Sequence, residues 1–210
     1  AAILGETLKE DDESETFRPE YLQALGEAGL CGVQSPEEHG GLGLGYSEYA
    51  ITLEEIARVS ASYGVSVAVT GLPQVILDTF GSDEQKAQWL PSLAMGETIG
   101  AFALSEPDSG SDAASLQSTA VREGDTYRLN GTKFWITHGG YADLYVVMAR
   151  TGGEGPRGVS AFLVPGDTPG LSFGKKEEKM GLRASPTLLS GAWEEIATPA
   201  YPEKPEGLED

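Results

Sequence analysis

One loop of the sequence concentrates hydroxyl groups and flexible backbone, because Pro107 is followed by Asp108-Ser109-Gly110-Ser111-Asp112. Glycine permits turns that direct backbone N–H groups outward, and serine hydroxyls both donate and accept hydrogen bonds. The apolar run of residues 101–104 precedes the loop and is typical of a short buried strand. A loop of this kind offers many donors to the polar edge of a ligand.

A second segment supplies a flat aromatic ring. The run Lys133-Phe134-Trp135-Ile136-Thr137 is typical of a strand, on which Trp135 and Thr137 share one face and Ile136 points to the other. Strand-like runs flank Asn130-Gly131, and this pair predicts a β-hairpin. A donor-rich loop beside a strand with a ring and a hydroxyl favours a planar cofactor with polar edges.

The surrounding pattern changes once along the chain and predicts an α+β protein. Apolar residues at helical spacing, with Pro19 in a first turn and Ser82 opening a capping box, predict a helical N-terminal domain over residues 1–97. Short β-branched and aromatic runs between turns predict a β-barrel or sandwich domain over residues 98–187. Pro73 is expected to kink or divide its helix.

Two charged or proline-rich stretches are expected to be irregular. Glu10-Asp11-Asp12-Glu13 is predicted to be solvated or frayed, and residues 188–210 are predicted to form an irregular acidic, proline-rich tail.

Composition excludes several classes of function. The chain has 33 acidic and 14 basic residues and a formal charge of −19, which argues against binding to nucleic acid or anionic lipid. The single cysteine, Cys31, is expected to be a small buried residue, and His39 and His138 suggest no metal site. The sequence contains no apolar run of membrane-spanning length and no export signal, so we expect a cytoplasmic protein, or a mitochondrial matrix protein in a eukaryote.

The ordered motifs resemble the acyl-CoA dehydrogenase family, especially its short-chain and butyryl-type members. The resemblance rests on Ser105-Glu106-Pro107 with Gly110-Ser111-Asp112, on Trp135-Ile136-Thr137, on Pro36-Glu37-Glu38-His39-Gly40-Gly41-Leu42-Gly43, and on Lys179-Met180-Gly181-Leu182-Arg183-Ala184-Ser185. It extends from about Glu27 to Thr187.

The resemblance implies an FAD-dependent α,β-dehydrogenation of an acyl-CoA thioester, with hydride transfer to flavin N5. It further implies that Ser111 contacts the CoA portion of the substrate. The positions that match the flavin-binding residues of the family are Phe102, Ala103, Leu104, Ser105, Gly110, Ser111, Trp135, Ile136 and Thr137.

In the family, Glu106 is structural, and the proton-abstracting carboxylate belongs to a C-terminal helical domain. We therefore expect this chain to be a fragment without the catalytic base and inactive alone. The working enzyme is expected to be a homo-oligomer that passes electrons to an electron-transferring flavoprotein. Lys133 and Arg183 are cationic candidates for contact with the pyrophosphate of the cofactor, but we expect both to be solvated surface residues.

Two other functions remain open on the same fold. The chain could be a non-catalytic flavin-binding or interaction module, which would bind flavin without turnover. It could also belong to a flavin oxidase or monooxygenase, in which oxygen reaches the reduced flavin.

Overall fold

The computed structural model describes residues 4–193 and 196–199. Within these residues, five α-helices precede eight β-strands, which confirms the predicted order of a helical region followed by a β region. The helices are α1 (Leu8–Glu13), α2 (Pro19–Glu27), α3 (Tyr46–Val59), α4 (Ala61–Phe80) and α5 (Asp83–Ala94). The strands are β1 (Gly100–Ala103), β2 (Thr119–Glu123), β3 (Thr126–Thr137), β4 (Leu144–Arg150), β5 (Val159–Pro165), β6 (Ser172–Phe173), β7 (Thr187–Trp193) and β8 (Ile196–Pro199).

The helix ends follow the signals in the sequence. Pro19 occupies the first turn of α2. The Ser82 hydroxyl accepts from Gln85 N, and the Gln85 side chain accepts from Ser82 N, which completes the capping box of α5. Pro73 lies inside α4, which nevertheless continues from Ala61 to Phe80, so the proline does not divide this element.

The acidic run near the N-terminus is structured, contrary to the prediction that it is solvated or frayed. Asp11 is 2% exposed, and its carboxylate accepts from Arg18 Nε at 2.8 Å. Asp12 Oδ1 accepts from the Ser62 hydroxyl at 2.8 Å and from Ala184 N at 3.0 Å. The segment forms α1 and is fixed in place because both carboxylates have specific donors.

The strands form one mixed sheet in the order β1-β4-β5-β8-β3-β7-β6. β1 runs parallel to β4, whereas β3 is antiparallel to β7 and β8. β2 lies off this path, pairing antiparallel with β3 and meeting β4 at Thr119 and Arg150. Within the described residues the path is open between β1 and β6, so the sheet seen there is not the closed barrel that was one of the predicted forms.

The hairpin predicted at Asn130-Gly131 is wrong, because both residues lie inside the continuous strand β3. The turn between β2 and β3 falls instead at residues 124–125, directly after the pairing of Glu123 with Thr126. At Gly131 the strand changes partner, since Asn130 pairs with β2 and Gly131 with β7. Glycine is required there by close approach: a Cβ would lie 2.8 Å from the Cα of Ser118.

The predicted irregular tail is corrected in its first part. β7 pairs with β3 and β6, and β8 pairs with β3 and β5, so backbone pairing orders this stretch. Residues 194–195 and 200–210 lie outside the described part of the chain.

The helical and β regions share one hydrophobic core. Leu22 and Leu25 of α2 and Val67 of α4 are buried in the same cluster as Tyr145 of β4 and Phe162 of β5. α4 also packs on β1, where a Cβ on Gly100 would lie 3.0 Å from the Pro73 ring. Strand β1, which leads into the candidate ligand loop, is therefore fixed by the helices on one side and by β4 on the other.

Candidate functional site

The structure brings the two chemically distinctive segments together. The loop after β1 lies against the C-terminal half of β3, where Phe134 N donates to Ser105 O at 2.8 Å. In the same place, Lys133 Nζ donates to Leu104 O at 3.1 Å. These two bonds hold Leu104 and Ser105 next to the Trp135 position.

A buried ion pair lies under this junction. Lys133 is fully buried and Glu106 is 5% exposed, and Lys133 Nζ donates to Glu106 Oε1 at 2.6 Å. Glu106 also accepts from Gln117 N at 2.5 Å and Ser118 N at 3.0 Å. Lys133 is therefore not the solvated surface residue that was predicted, because it has an anionic partner inside the protein.

The surroundings of this pair keep the carboxylate ionised. Burial acts to raise the pKa of Glu106, but hydrogen bonds from Lys133, Ser118 and Gln117 outweigh it and the pKa is lowered. Burial lowers the pKa of Lys133, and Glu106 opposes that shift. A carboxylate with lowered pKa and three donors is a poor general base, which agrees with the structural role expected for Glu106.

The tip of the loop is open to a ligand. Glu106 and Ser109 bond to each other through their backbones, and the Ser109 hydroxyl donates to Asp112 O at 2.8 Å. Ser109 is buried and serves this turn, whereas Gly110 and Ser111 are exposed. A Cβ on Gly110 would meet no atom within 4 Å, so space lies directly beside its backbone.

Arg150, at the end of β4, fixes the far side of the loop. Its guanidinium donates to Ala114 O at 2.7 Å and to Leu116 O at 3.1 and 3.2 Å. The same group donates to Gly153 O at 2.5 Å and to Gly155 O at 3.2 Å. Nothing in the sequence points to this role of Arg150, because its partners are backbone carbonyls that leave no pattern of side chains.

Trp135 occupies a strained and accessible position in β3. Its φ is 55°, in the left-handed region that bulky residues rarely adopt, and its side chain is 60% exposed. Its indole Nε1 donates to Glu177 Oε1 at 3.1 Å. Ile136 is fully buried and Thr137 is half-buried, so Ile136 points into the core, as the strand pattern predicted. Backbone strain of this kind is found most often at ligand-binding sites.

His138, which follows Thr137, joins β3 to β1. It is fully buried with φ 63°, and its Nδ1 lies 2.9 Å from Gly100 O. Burial lowers the pKa of His138 to about 4, so the imidazole is neutral at pH 7. It stacks on Phe17 with ring centroids 5.3 Å apart. His138 thus packs in the core directly after β3 and connects the end of this strand to β1.

The residues present fit a planar ligand with a polar edge. Trp135 offers an exposed ring, the loop offers open space beside Gly110, and Ser105 lies at their junction.

Among residues 4–193 and 196–199, no three metal-ligating side chains lie together, and no helix has the length and apolar character needed to cross a membrane.

Comparison with known families gives the fold and site a context. The acyl-CoA dehydrogenase N-terminal domain matches residues 4–97, and the acyl-CoA dehydrogenase middle domain matches residues 101–189. The chain belongs to the acyl-CoA dehydrogenase family. The loop and the Trp135 strand both lie in the part that matches the middle domain of acyl-CoA dehydrogenases.

Individual acyl-CoA dehydrogenases are similar over nearly the whole chain. The mitochondrial short-chain specific acyl-CoA dehydrogenase of Rattus norvegicus is 47% identical over 180 residues, which is 84% of this chain and 43% of the relative. The butyryl-CoA dehydrogenase structure from Megasphaera elsdenii is 36% identical with a TM-score of 0.86, covering 92% of this chain and 52% of that one.

A glutaryl-CoA dehydrogenase from Mycobacterium smegmatis, solved in complex with FADH2, is 36% identical with a TM-score of 0.81. That match covers 90% of this chain and 47% of the other. The chain spans about half the length of the relatives that it matches.

The last motif of the acyl-CoA dehydrogenase resemblance joins the β region to the helical region. Lys179 Nζ donates to the carbonyls of Leu182 and Ser185 and so closes this loop. Arg183 Nη2 donates to Glu15 Oε1 at 2.8 Å, and the Arg183 side chain is 41% exposed. The surface location predicted for Arg183 is therefore confirmed, with an ion pair in addition.

Proposed function

We propose that the chain forms the helical and β portions of an FAD-dependent acyl-CoA dehydrogenase, with the flavin bound between residues 102–111 and 135–137. The observation that supports this most directly is the bond from Phe134 N to Ser105 O, which places the donor-rich loop beside Trp135. The related glutaryl-CoA dehydrogenase was solved with FADH2, which supports the same cofactor here.

In this proposal FAD, when bound, supplies the acceptor for the hydride that leaves the β carbon of an acyl thioester. The residues of this chain bind and orient the two partners. The Ser105 hydroxyl and the loop amides stabilise negative charge at the pyrimidine edge, since preorganised donors do this at little reorganisation cost. The Trp135 ring and the Thr137 hydroxyl border the flavin, with the backbones of Phe102, Ala103, Leu104 and Ile136 along it.

We place the acyl-CoA substrate near Ser111, at the exposed tip of the loop. Ser111 and Gly110 are free of the turn bonds that occupy Ser109, so they can contact the CoA portion. No described residue is assigned the role of proton-abstracting base, because Glu106 is enclosed by its donors. The chain alone is therefore proposed to bind without turnover.

The remaining features of the working enzyme follow from the family. We propose a homo-oligomer that passes electrons to an electron-transferring flavoprotein and that acts in the cytoplasm or the mitochondrial matrix. The rat relative is described as mitochondrial.

Flavin binding by the purified chain tests the proposal. Trp135→Ala should weaken FAD binding about five- to tenfold, the effect of losing about 1–1.5 kcal/mol of aromatic stacking. Trp135→Phe should keep most of the affinity, and Trp89→Phe in α5 serves as the control. Equal affinities for the wild type and Trp135→Ala would contradict the proposed flavin position.

Anaerobic addition of butyryl-CoA then separates binding from turnover. If the flavin is bound and remains oxidised, the result supports the proposal that this chain binds flavin without a proton-abstracting base. A flavin that is bleached would show that the isolated chain is an active dehydrogenase, contrary to the proposal.

A further inference from the structure

The buried pair of Lys133 with Glu106 joins three separate stretches of chain. Lys133 Nζ donates to Leu104 O at the end of β1 and to Glu106 Oε1 at the start of the loop. Glu106 in turn accepts from the backbone N–H groups of Gln117 and Ser118, where the loop ends before β2. The entry and the exit of the loop are thus held at one point on β3.

Stability alone does not explain an ion pair in this position. Removing two charges from water is costly, and a well-packed apolar pair of similar volume is often as stable or more so. Buried polar networks whose donors and acceptors are satisfied rigidify the structure around them, and in some proteins they specify one geometry. Here the side chains of the pair bond, apart from each other, to backbone groups at the two ends of one loop.

We propose that Lys133 and Glu106 are positioning residues that hold residues 105–116 in the conformation that receives the ligand. Neither residue contacts the ligand; they act through the backbone of the loop. The statement about loop conformation stands by itself, and only its consequence for FAD rests on the proposed function.

Hydrogen exchange measured by mass spectrometry tests the loop directly. Glu106→Gln keeps the shape of the side chain and removes its charge, and Lys133→Met keeps the length of the stem. In both variants, exchange in peptides that cover residues 104–118 should rise at least tenfold. Peptides from β4 and β5 should change less than twofold.

A double variant separates positioning from a merely structural role. Lys133→Met with Glu106→Met removes both buried charges, so its melting temperature should recover to at least that of the better single variant. Exchange in residues 104–118 should nevertheless stay at least tenfold above the wild type. Recovery of loop protection in the double variant, or an equal rise in β4 and β5, would overturn the proposal.

Glu123→Gln is the matched control, because it breaks an exposed ion pair with Arg128 at 2.9 Å on the neighbouring hairpin. Its loop exchange should equal that of the wild type, and a rise as large as in Glu106→Gln would also overturn the proposal. Should Lys133→Met fail to fold, Glu106→Gln alone decides, since a protected loop in that variant contradicts the inference.

FAD affinity in the same variants separates this inference from the proposed function. If both hold, Glu106→Gln binds FAD at least tenfold more weakly while its β4 and β5 peptides remain protected. A wild-type chain that fails to bind FAD refutes the proposed function, whereas the exchange data still decide the role of the buried pair.

Discussion

Replacing Arg150 should destabilise the protein more than any exposed arginine does. Three of the carbonyls that Arg150 contacts, those of Ala114, Leu116 and Gly155, are in partly buried hydrogen bonds. At about 1 kcal/mol net for each satisfied carbonyl, Arg150→Ala should lower the free energy of unfolding by about 3 kcal/mol. Arg150→Lys keeps a charge but loses the planar fork, so about half of this loss should remain.

Urea unfolding, followed by far-ultraviolet circular dichroism, measures these losses. With an m-value of about 3 kcal/mol per molar, Arg150→Ala should lower the midpoint by about 1 M. Arg58→Ala is the control, because Arg58 makes an exposed pair with Glu55 on α3 that should contribute less than about 0.5 kcal/mol. If Arg150→Ala and Arg58→Ala shift the midpoint equally, the bonds to the loop carbonyls do not stabilise the fold.

Gly131→Ala should lower the free energy of unfolding in urea by about 1–3 kcal/mol, because the added Cβ overlaps Ser118. Gly153→Ala is the control and should lower it by less than about 0.5 kcal/mol, since a Cβ there meets no atom within 4 Å. Equal losses would contradict the close approach at Gly131. The hydrogen bond from Arg18 lowers the pKa of Asp11 below 3.8, so this carboxylate stabilises the fold above its unfolded pKa and stops doing so as pH falls through the lowered folded value. The midpoint of Asp11→Asn should therefore approach that of the wild type as pH falls from 5 to 2, and a constant difference would contradict the ion pair. Because residue 135 has φ 55°, the free energy of unfolding in urea should be about 1 kcal/mol higher for Trp135→Gly than for Trp135→Ala. The opposite order would show that the position is unstrained.

The element boundaries that have local chemical causes could be predicted from the sequence. The capping box at Ser82 and the proline in the first turn of α2 are both found where the pattern placed them. Each of these signals depends on neighbours in the chain. The acidic run of α1 could not be predicted in the same way, because the donor to Asp12 at Ala184 is distant in sequence.

The error at Asn130-Gly131 concealed a residue of the site. In one continuous strand, Lys133 lies four residues after Leu129 and shares the inward face of that residue. Lys133 is 0% exposed and Leu129 is 2% exposed. The same alternation would place Trp135 on this face, but it breaks at the left-handed φ of Trp135, whose side chain is 60% exposed while Ile136 is buried. The burial of Lys133 therefore depends on the continuity of β3 and on its pairing with β7, and neither follows from the local turn preference of Asn-Gly.

Two features at the junction of the loop with β3 cost free energy that simpler residues would avoid. A glycine at position 135 would remove the strain at φ 55°, and an apolar pair would remove the buried charges of Lys133 and Glu106. Lys133 and Trp135 lie two residues apart on β3, with Lys133 buried and Trp135 60% exposed. A sequence constrained only by stability would have neither. Their coincidence supports the proposals made above, in which the interior pair fixes the loop and Trp135 borders the ligand at the surface beside it.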